Sequence, residues 1–488
     1  MEEGTVGLSA RLRRAPVVVF LVALVVFGTS PVVSNGDSYL AVPTAMSVLN
    51  DADLDIDEYL GPGTDGGNGY LQRPDGTGEQ IPGVQMPRDL SATEWEHAFD
   101  HFPWTTAVVS LPVIVVLEIG GALGIDTLDV DRMIAEAETG LPNLIGGSLL
   151  AALTAAVITM IFGRLLGDGS DRDHRRLAIL LGLAVALATP LWSTLSRALW
   201  SQSSATLFIA VAALLAIRLT QADESPNRTA TLLGVVAAPA YTARPTAAVV
   251  VVGLGLWLLV RHRPLTLRYV AGGLAVAVPW MLVNLATYQS IQPPNFSTDR
   301  AGWRGETIEA IVANLISPNR GLFVFSSIAI VAVVGAVLTI RRTTTVDRSL
   351  AVTATAIVVV HLVVVSGSGE SWWAGNSFGP RFMADTIPWL ALLAVPAIEA
   401  LWSNPGWLRR GAYTLLGLSI AANAIGAWSK PAACWNVDPV LIDIDPSRVW
   451  AWDDLQLLRP FEVLDETGSL REATLGRCND LLPGRLDQ

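Results

Sequence analysis

The chain has 488 residues, of which 51% are hydrophobic and 16% are charged, and its formal net charge is −12. A soluble domain normally has about a quarter of its residues charged, so this composition excludes an ordinary soluble enzyme. The excess of carboxylates over Lys and Arg also excludes a nucleic-acid-binding surface. We therefore predict an all-α integral membrane protein with repeated apolar spans.

The N-terminal segment contains three arginines, which are followed directly by the first apolar run, residues 15–33. No clear small-x-small cleavage pattern is present, so we interpret this run as an uncleaved span rather than a signal peptide. The arginines place residues 1–14 in the cytoplasm. The next segment, residues 34–103, is rich in Gly, Pro and Asp, and we predict that it is a long external loop.

Further apolar runs are long enough to cross most of a hydrocarbon layer about 30 Å thick. With the first run they predict a bundle of about eleven transmembrane helices over residues 15–427. The further runs are 104–124, 142–163, 177–195, 203–220, 244–260, 268–287, 320–340, 350–366, 381–400 and 408–427.

One apolar run, residues 229–242, does not fit this count. It is short, and Pro239 and Pro245 bracket its end, so we interpret it as a half-helix or re-entrant piece. This choice puts the C-terminus outside, but it also places the arginines at 172–176 outside, against the positive-inside bias. If the run is counted as a full span, those arginines return to the cytoplasm only if another of the early spans has been predicted in error.

The C-terminal tail, residues 428–488, follows the last predicted span and contains both cysteines of the chain, Cys434 and Cys478. Two cysteines confined to one extramembrane segment are typical of a disulfide in an oxidising compartment, which agrees with an external tail. The alternative is a pair of unrelated thiols. The mixture of Trp and Asp in the tail predicts a small ordered cap.

Asp37 is the first candidate for chemistry, because it lies only a few residues after the first span. Partial desolvation at the membrane boundary would raise the pKa of its carboxyl toward a value useful for a general base. Asn-Gly-Asp-Ser is equally good turn and helix-capping sequence, and this alternative stays open.

Four basic residues near predicted span ends are candidates for binding an anion. A charge at membrane depth costs about 2.5–3.5 kcal/mol, so Arg244 is expected to face a cavity or a partner, unless it snorkels to the surface. His101 lies where the long loop returns to the membrane, and it could bind an anionic headgroup or serve simply in interface anchoring. Arg320 and Arg381 precede spans, where guanidinium groups can cradle a phosphate or pair with loop acids.

Aromatic and polar residues suggest a sugar contact. Trp372, Trp373 and Asn376 combine flat apolar faces with polar tips, as surfaces that grip sugars often do, although an interfacial aromatic belt explains the tryptophans almost as well. Tyr39 lies beside Asp37 and is a further candidate for contact with the sugar or the acceptor.

The acidic string at 51–58 resembles the start of a calcium loop, but it lacks the required Gly and the Glu at the twelfth position. We interpret it as a solvated loop and predict no metal ligands. The chain also lacks His and Cys residues with zinc-binding spacing and a serine nucleophile elbow. It contains no Walker loop, which disfavours an ATP-driven pump.

Taken in order, several short motifs make the chain resemble the polytopic GT-C glycosyltransferases, particularly the bacterial family 39 branch with the protein O-mannosyltransferases and the lipid A aminoarabinose transferase. The resemblance covers about residues 15–400. The motifs are Asn35-Gly36-Asp37-Ser38, His101-Phe102-Pro103-Trp104, Thr189-Pro190-Leu191-Trp192-Ser193 with Arg197-Ala198-Leu199-Trp200, Ala243-Arg244-Pro245, Ser317-Pro318-Asn319-Arg320-Gly321, and Trp372-Trp373 through Gly379-Pro380-Arg381.

The resemblance implies transfer of a sugar, with inversion, from a polyprenyl-phosphate donor to an envelope hydroxyl at the external face of the plasma membrane. It implies that Asp37 is the base, and that His101 and Arg244 lie near the donor phosphate. Because arginines can hold the leaving group, no cofactor is firmly implied and a divalent metal is left open. The Asp-Glu and Pro-Pro pairs of the protein mannosyltransferases are missing here, so the acceptor could be protein, glycan or lipid.

Two other functions are compatible with the sequence. A transporter or flippase could use the same cavity to move a lipid-linked sugar, although transporters usually carry internal repeats and ionisable residues at mid-membrane. A non-catalytic protein of envelope assembly is the other alternative.

Overall fold

The fold is seen in a computed structural model that describes residues 14–34, 36–61, 69–81, 87, 90–91, 93–136, 138–167, 172–221, 223–296, 306–342, 344–403, 406–476 and 478. Most of these residues are helical, and three short strands are also present. The predicted cytoplasmic segment lies outside the described residues apart from Arg14, and so do the last ten residues of the predicted tail.

The helices are numbered here in chain order. The first ten are α1 (Arg14–Thr29), α2 (Ala41–Asn50), α3 (Thr105–Ala122), α4 (Val130–Ala135), α5 (Gly140–Leu165), α6 (Arg172–Leu187), α7 (Pro190–Ser193), α8 (Ser201–Thr220), α9 (Pro226–Ala243) and α10 (Ala248–Arg261). The others are α11 (Arg263–Tyr288), α12 (Thr307–Ile316), α13 (Leu322–Phe325), α14 (Ala329–Arg341), α15 (Arg348–Ser366), α16 (Ile387–Ser403), α17 (Trp407–Trp428), α18 (Lys430–Cys434), α19 (Arg459–Thr467) and α20 (Leu470–Leu475).

Six helices of the described chain are long and apolar enough to cross a membrane, and a bent helix pair would make a seventh. The six are Thr105–Ala122, Gly140–Leu165, Ser201–Thr220, Arg263–Tyr288, Arg348–Ser366 and Arg381–Leu401, and the bent pair is Asp173–Leu187 with Pro190–Arg197, at 49°. The chain therefore has the character of a helical membrane protein, with fewer clear spans than the eleven predicted.

Short or interrupted helices account for part of the difference in count. The predicted span 320–340 is divided into the four-residue helix α13 and the 13-residue helix α14. The predicted first span forms a helix of 16 residues, α1. Both α1 and α14 belong to a group of shorter apolar helices of 10–17 residues.

The run at 229–242 is part of a longer helix than a half-helix would be, although this helix is not among the six long apolar helices given above. It belongs to α9, an 18-residue helix that contains Pro239 in its interior. Gly234 of α9 and Gly272 of α11 let the two helix backbones approach closely. A Cβ atom added at Gly272 would lie 2.1 Å from the carbonyl oxygen of Thr231, which shows how little space separates these helices.

The predicted external loop at 34–103 contains regular structure, and its few short strands are compatible with the predicted all-α class of this mostly helical chain. It forms α2 and an antiparallel sheet of strands β1 (Gly69–Gln72), β2 (Gly78–Ile81) and β3 (His97–Asp100), in the order β2-β1-β3. Strand β3 ends directly before α3, so the sheet fixes the position at which the chain re-enters the helical bundle.

A buried arginine fastens the end of α1 to the bundle. The Arg197 guanidinium donates to the carbonyl oxygens of Ser30, at 2.8 Å, and Phe27. Carbonyls in the last turn of a helix have no partners within the helix, and a cation there also complements the helix dipole. This contact holds the segment that leads to Asp37.

The described part of the C-terminal tail is an ordered cap, which here means residues 429–476 and Cys478. Cys434 and Cys478 form a disulfide with their Cα atoms 5.2 Å apart. The cap packs on the loop before α16, and the shared apolar cluster includes Trp372, Trp373 and Trp435.

Candidate functional site

The site is centred on an ion pair between residues far apart in the sequence. Asp37 lies in a single 3₁₀ turn, Gly36–Ser38, after the end of α1. One of its carboxylate oxygens, Oδ2, lies 2.8 Å from Nη1 of Arg381. The Arg381 side chain is only 5% exposed, whereas that of Asp37 is 33% exposed. The carboxylate is therefore held by a buried cation while one side of it stays open to solvent.

The backbone before α16 brings Arg381 to this position. Gly379 has a φ of +59°, and a Cβ atom there would lie 2.8 Å from the ring of Phe325, so a side chain would fit poorly at this turn. Arg381 then begins the 3₁₀ helix Arg381–Thr386 that leads into α16. Its Cζ lies 4.3 Å from the ring centroid of Trp200, which is a cation–π distance.

The Arg381 guanidinium retains an unused donor. Among the described residues, its Nε has no hydrogen-bond partner although it is buried. A buried N–H group without a partner is uncommon and unfavourable, so this position is suited to an acceptor oxygen from a ligand.

A second acid, Asp100, lies within electrostatic reach of Asp37. It is 5% exposed, and its Oδ1 accepts a hydrogen bond from the Phe102 amide at 2.9 Å. Burial raises the pKa of Asp100 to about 8; the Phe102 hydrogen bond lowers it, and the charge of Asp37 raises it further. Asp100 therefore carries a proton at neutral pH.

His101 follows Asp100 and is almost completely buried, at 3% exposure. Its ring contacts Phe102 edge-on, with the ring centroids 5.3 Å apart. The structure thus places His101 beside the protonated acid, at the start of the return into the bundle.

Arg244 forms a second ion pair next to the first. Its Nε lies 2.9 Å from Oδ2 of Asp385 and donates to the Thr246 hydroxyl at 2.7 Å. His361 adds to this group, since its Nε2 lies 3.9 Å from the same Asp385 oxygen and 2.8 Å from the carbonyl oxygen of Phe382. Arg244 also interacts electrostatically with Asp37 and Arg381, so the two ion pairs form one charged cluster.

Sequence reasoning missed Asp385 and His361. A signal was available, because both lie within runs that were predicted to be apolar spans, and an ionisable residue in such a run usually faces a partner or a cavity. The pairing of Asp385 with Arg244 depends on a contact between distant segments of the chain.

Arg320 has a different environment from Arg381. Its guanidinium donates to the carbonyl oxygen of Trp373 at 2.8 Å, to Asn436 Oδ1 at 2.6 Å and to Gln456 Oε1 at 3.1 Å. It therefore joins the cap to the loop before α16 and is not brought into contact with Asp37. Binding of a phosphate by Arg320 would require these bonds to open.

The predicted sugar-binding residues are not gathered at one place. Trp372 and Trp373 are each 4% exposed and pack against the cap, and Trp373 Nε1 donates to Asp443 at 2.7 Å. A sugar could stack on these indoles only if they left this core. Asn376 is exposed, and Tyr39 packs, partly buried, on the small core around the sheet.

An apolar cavity of about 290 Å³ lies mainly between α6, α14, α16 and α17. Its lining includes Ile387, which is six residues after Arg381 in the sequence, and Arg409 and Tyr413 near the start of α17. The cavity can therefore hold an apolar molecule between these helices.

One group of His and Asp side chains in the described structure could hold a metal ion. It consists of Asp55, Asp57 and His97, in the segment between α2 and α3. The sequence analysis interpreted the acidic string as a solvated loop and did not consider His97, which the pairing of distant segments brings beside Asp57.

No family model, curated protein or solved structure matches this chain. The function of the chain is therefore inferred from the geometry of the charged cluster, together with the motifs of the sequence.

Proposed function

We propose that the protein is a membrane glycosyltransferase that moves a sugar from a polyprenyl-phosphate donor to a hydroxyl of an envelope acceptor, with inversion. The observation that carries this proposal is the pair of Asp37 and Arg381. It combines a partly exposed carboxylate, suited to a base, with a buried guanidinium that has an unused donor, suited to a phosphate.

The reaction follows from this arrangement. Asp37 accepts the proton of the acceptor hydroxyl as its oxygen forms a bond to the anomeric carbon. The bond between that carbon and the carrier phosphate breaks on the opposite face, and its electron pair remains on the phosphate oxygen. Arg381 stabilises the charge that develops there, and Arg244 adds positive potential.

His101 and Asp100 contribute near the donor in this mechanism. The protonated Asp100 carboxyl can donate a hydrogen bond to a phosphate oxygen, which an ionised carboxylate would repel. Because arginines supply the positive charge, the mechanism requires no metal in this cluster.

The location of the cluster agrees with an external reaction. The loop that contains Arg381 packs against the cap, and the cap contains the disulfide, which persists in oxidising compartments. We therefore assign this end of the bundle to the outside of the plasma membrane. The apolar cavity would accommodate part of the isoprenoid chain, while the headgroup reaches Arg381.

The test is sugar transfer by the full chain in lipid nanodiscs, with synthetic polyprenyl-phosphate sugars as donors and envelope extracts as acceptors. Removal of a general base typically reduces the rate by about 10²–10⁴, so Asp37→Asn is expected to lose turnover by that factor. The matched control is Asp51→Asn, an exposed acid of the same segment.

Thermal unfolding of both variants shows whether the fold is retained. A folded Asp37→Asn protein with full activity would discard the assignment of the base. If the wild-type protein gave no glycosidic product with any of the donors, the proposal that it is a glycosyltransferase would be rejected.

Transport of a lipid-linked sugar is the second candidate, and one observation favours it. Asp385 and His361 are buried ionisable groups in helical segments, which is common in transport pathways. Movement of a labelled carrier lipid across a vesicle membrane, without a new glycosidic bond, would support transport instead of transfer.

A further inference from the structure

A cluster of possible metal ligands lies in the segment that precedes α3, separate from the pair of Asp37 and Arg381. His97 Nδ1 lies 2.9 Å from Asp57 Oδ2 and 3.8 Å from Asp55 Oδ2. One ligand atom from each of the three residues lies within 4.8 Å of the others. A single ion can therefore contact all three side chains after small adjustments.

The backbone builds this cluster from two distant segments. Asp55 forms an antiparallel bridge with Phe99, and continuing the same register places Asp57 opposite His97. The other oxygen of Asp57, Oδ1, accepts a hydrogen bond from the Ala98 amide at 2.7 Å, which fixes the carboxylate. The ligands are thus positioned by main-chain pairing and not by flexible side chains alone.

The charge balance at the cluster favours a cation. Within the described part of the chain, the ion pairs of Asp55 and Asp57 are with His97 alone, so two carboxylates share one imidazole. Asp53 and Glu58 lie close enough to act on Asp55 electrostatically and add further negative charge. A dication would balance the charge of both carboxylates, whereas a single imidazole carries at most one positive charge.

The ligand atoms are also accessible. The side chains of Asp55, Asp57 and His97 are 15%, 25% and 41% exposed, so an ion can enter from solvent and keep water ligands. A fully buried cluster would need to open first.

We propose that Asp55, Asp57 and His97 form a binding site for a divalent transition-metal ion of the zinc class, completed by water. Imidazole nitrogen together with carboxylate oxygen suits Zn²⁺, whereas Ca²⁺ prefers six to eight oxygen ligands. The ion would fasten the segment after α2 to β3, the strand that ends at Asp100.

The experiment uses the full chain in detergent, with its affinity tag removed, after dialysis against EDTA. Equilibrium dialysis against ZnCl₂ with metal analysis is expected to give one tightly bound Zn²⁺ per chain and a rise in the unfolding temperature that EDTA reverses. His97→Gln and Asp57→Asn are each expected to weaken this binding by at least about tenfold, since each removes a ligand. Glu79→Gln, an exposed acid on β2, is the control and should bind Zn²⁺ like the wild type.

A spectroscopic measurement keeps the test valid if a variant does not fold. Co²⁺ in the wild-type site is expected to show the visible absorption bands that are typical of a Co²⁺ ion with a low coordination number and a nitrogen ligand. Zn²⁺ binding of unchanged affinity in a folded His97→Gln protein would overturn the proposal. So would Ca²⁺ binding that exceeds Zn²⁺ binding, because the acids alone would then be the site.

Discussion

Two acids near the centre of the charged cluster have contrasting surroundings. Asp37 has a guanidinium partner at 2.8 Å and remains partly exposed. Asp100 is buried, has no ion pair in the described structure and accepts one backbone hydrogen bond. The proton held by the buried Asp100 carboxyl allows that group to donate a hydrogen bond, while the exposed side of Asp37 stays accessible from solvent.

The raised pKa of Asp100 predicts a specific pH dependence of stability. Its pKa is about 8 in the folded state, against 3.8 when unperturbed, so the folded protein holds a proton between these values that the unfolded chain has lost. Stability therefore falls as pH rises through this window, by up to about 1.4 kcal/mol per pH unit. Asp100→Asn removes this contribution.

We expect Asp100→Asn to unfold at a similar temperature to the wild type at pH 4, and at a higher temperature at pH 9. Melting midpoints measured at one heating rate over this pH range would show the growing difference. All other titrating groups are common to both proteins, so parallel pH profiles would contradict the assignment of the shift to Asp100.

The residues of the cluster differ in how far the sequence could identify them. Asp37, Arg244 and Arg381 were recognisable because each lies at the edge of an apolar run. A charged side chain there is costly unless it has a partner or faces a cavity. The roles of Asp385 and Arg320 were not, because the ion pair of Asp385 with Arg244 and the bonds of Arg320 to the cap join residues more than a hundred positions apart. Arg381 directly follows a Pro and Arg320 lies two residues after one, yet Arg320 joins the cap instead of the cluster.

At the scale of helices and strands, apolar length was a good guide where one helix is continuous. The runs 142–163 and 203–220 correspond to α5 (Gly140–Leu165) and α8 (Ser201–Thr220). The three strands of the first loop were missed. Each has four residues, too few for a period-two pattern, and their pairing depends on segments far apart in the chain.

The contact between α9 and α11 predicts a sharp difference between two adjacent glycines. A Cβ atom at Gly272 would meet the carbonyl oxygen of Thr231 at 2.1 Å, whereas one at Gly273 would lie 3.7 Å from its nearest neighbour, the carbonyl oxygen of Gly234. Gly272→Ala therefore forces the two helices apart, while Gly273→Ala fits.

We expect Gly272→Ala to destabilise the protein by about 1–3 kcal/mol, as overpacking of a tight contact typically does. Gly273→Ala should be neutral or slightly stabilising, because Ala is favoured over Gly in a helix. Thermal unfolding in the same detergent provides the comparison. Equal stabilities of the two variants would show that this helix contact adjusts freely.

At the scale of the whole molecule, the cap controls the shape of the loop that presents Arg381. Gln456 of the cap accepts a hydrogen bond from the Gly379 amide at 3.1 Å and another from Arg320 at 3.1 Å. Its side-chain amide also donates to the Ser377 carbonyl at 3.3 Å. Gln456 therefore holds two residues of the loop just before Arg381, Ser377 and Gly379, through its side-chain amide.

The disulfide is expected to stabilise this cap. It joins residues 44 apart in sequence, for which the chain-entropy treatment gives roughly 4 kcal/mol. The double variant Cys434→Ser and Cys478→Ser should show faster proteolysis within the cap, while the helical bundle stays intact.

The wild-type protein treated with a reductant should behave like the double variant, which itself should not respond to the reductant. Mass spectrometry of the fragments locates the cleavages. Equal protection of the oxidised wild type and the double variant would show that packing alone holds the cap.

The dependence of the loop on the cap also sets an order of maturation during biosynthesis. The cap residues are translated after Arg381 and after the helices that surround it. In the external location proposed above, the two thiols join only once this part of the chain has been exported. A nascent chain can display Asp37 early, yet until Gln456 has emerged it lacks the contacts that the cap makes with the loop before Arg381.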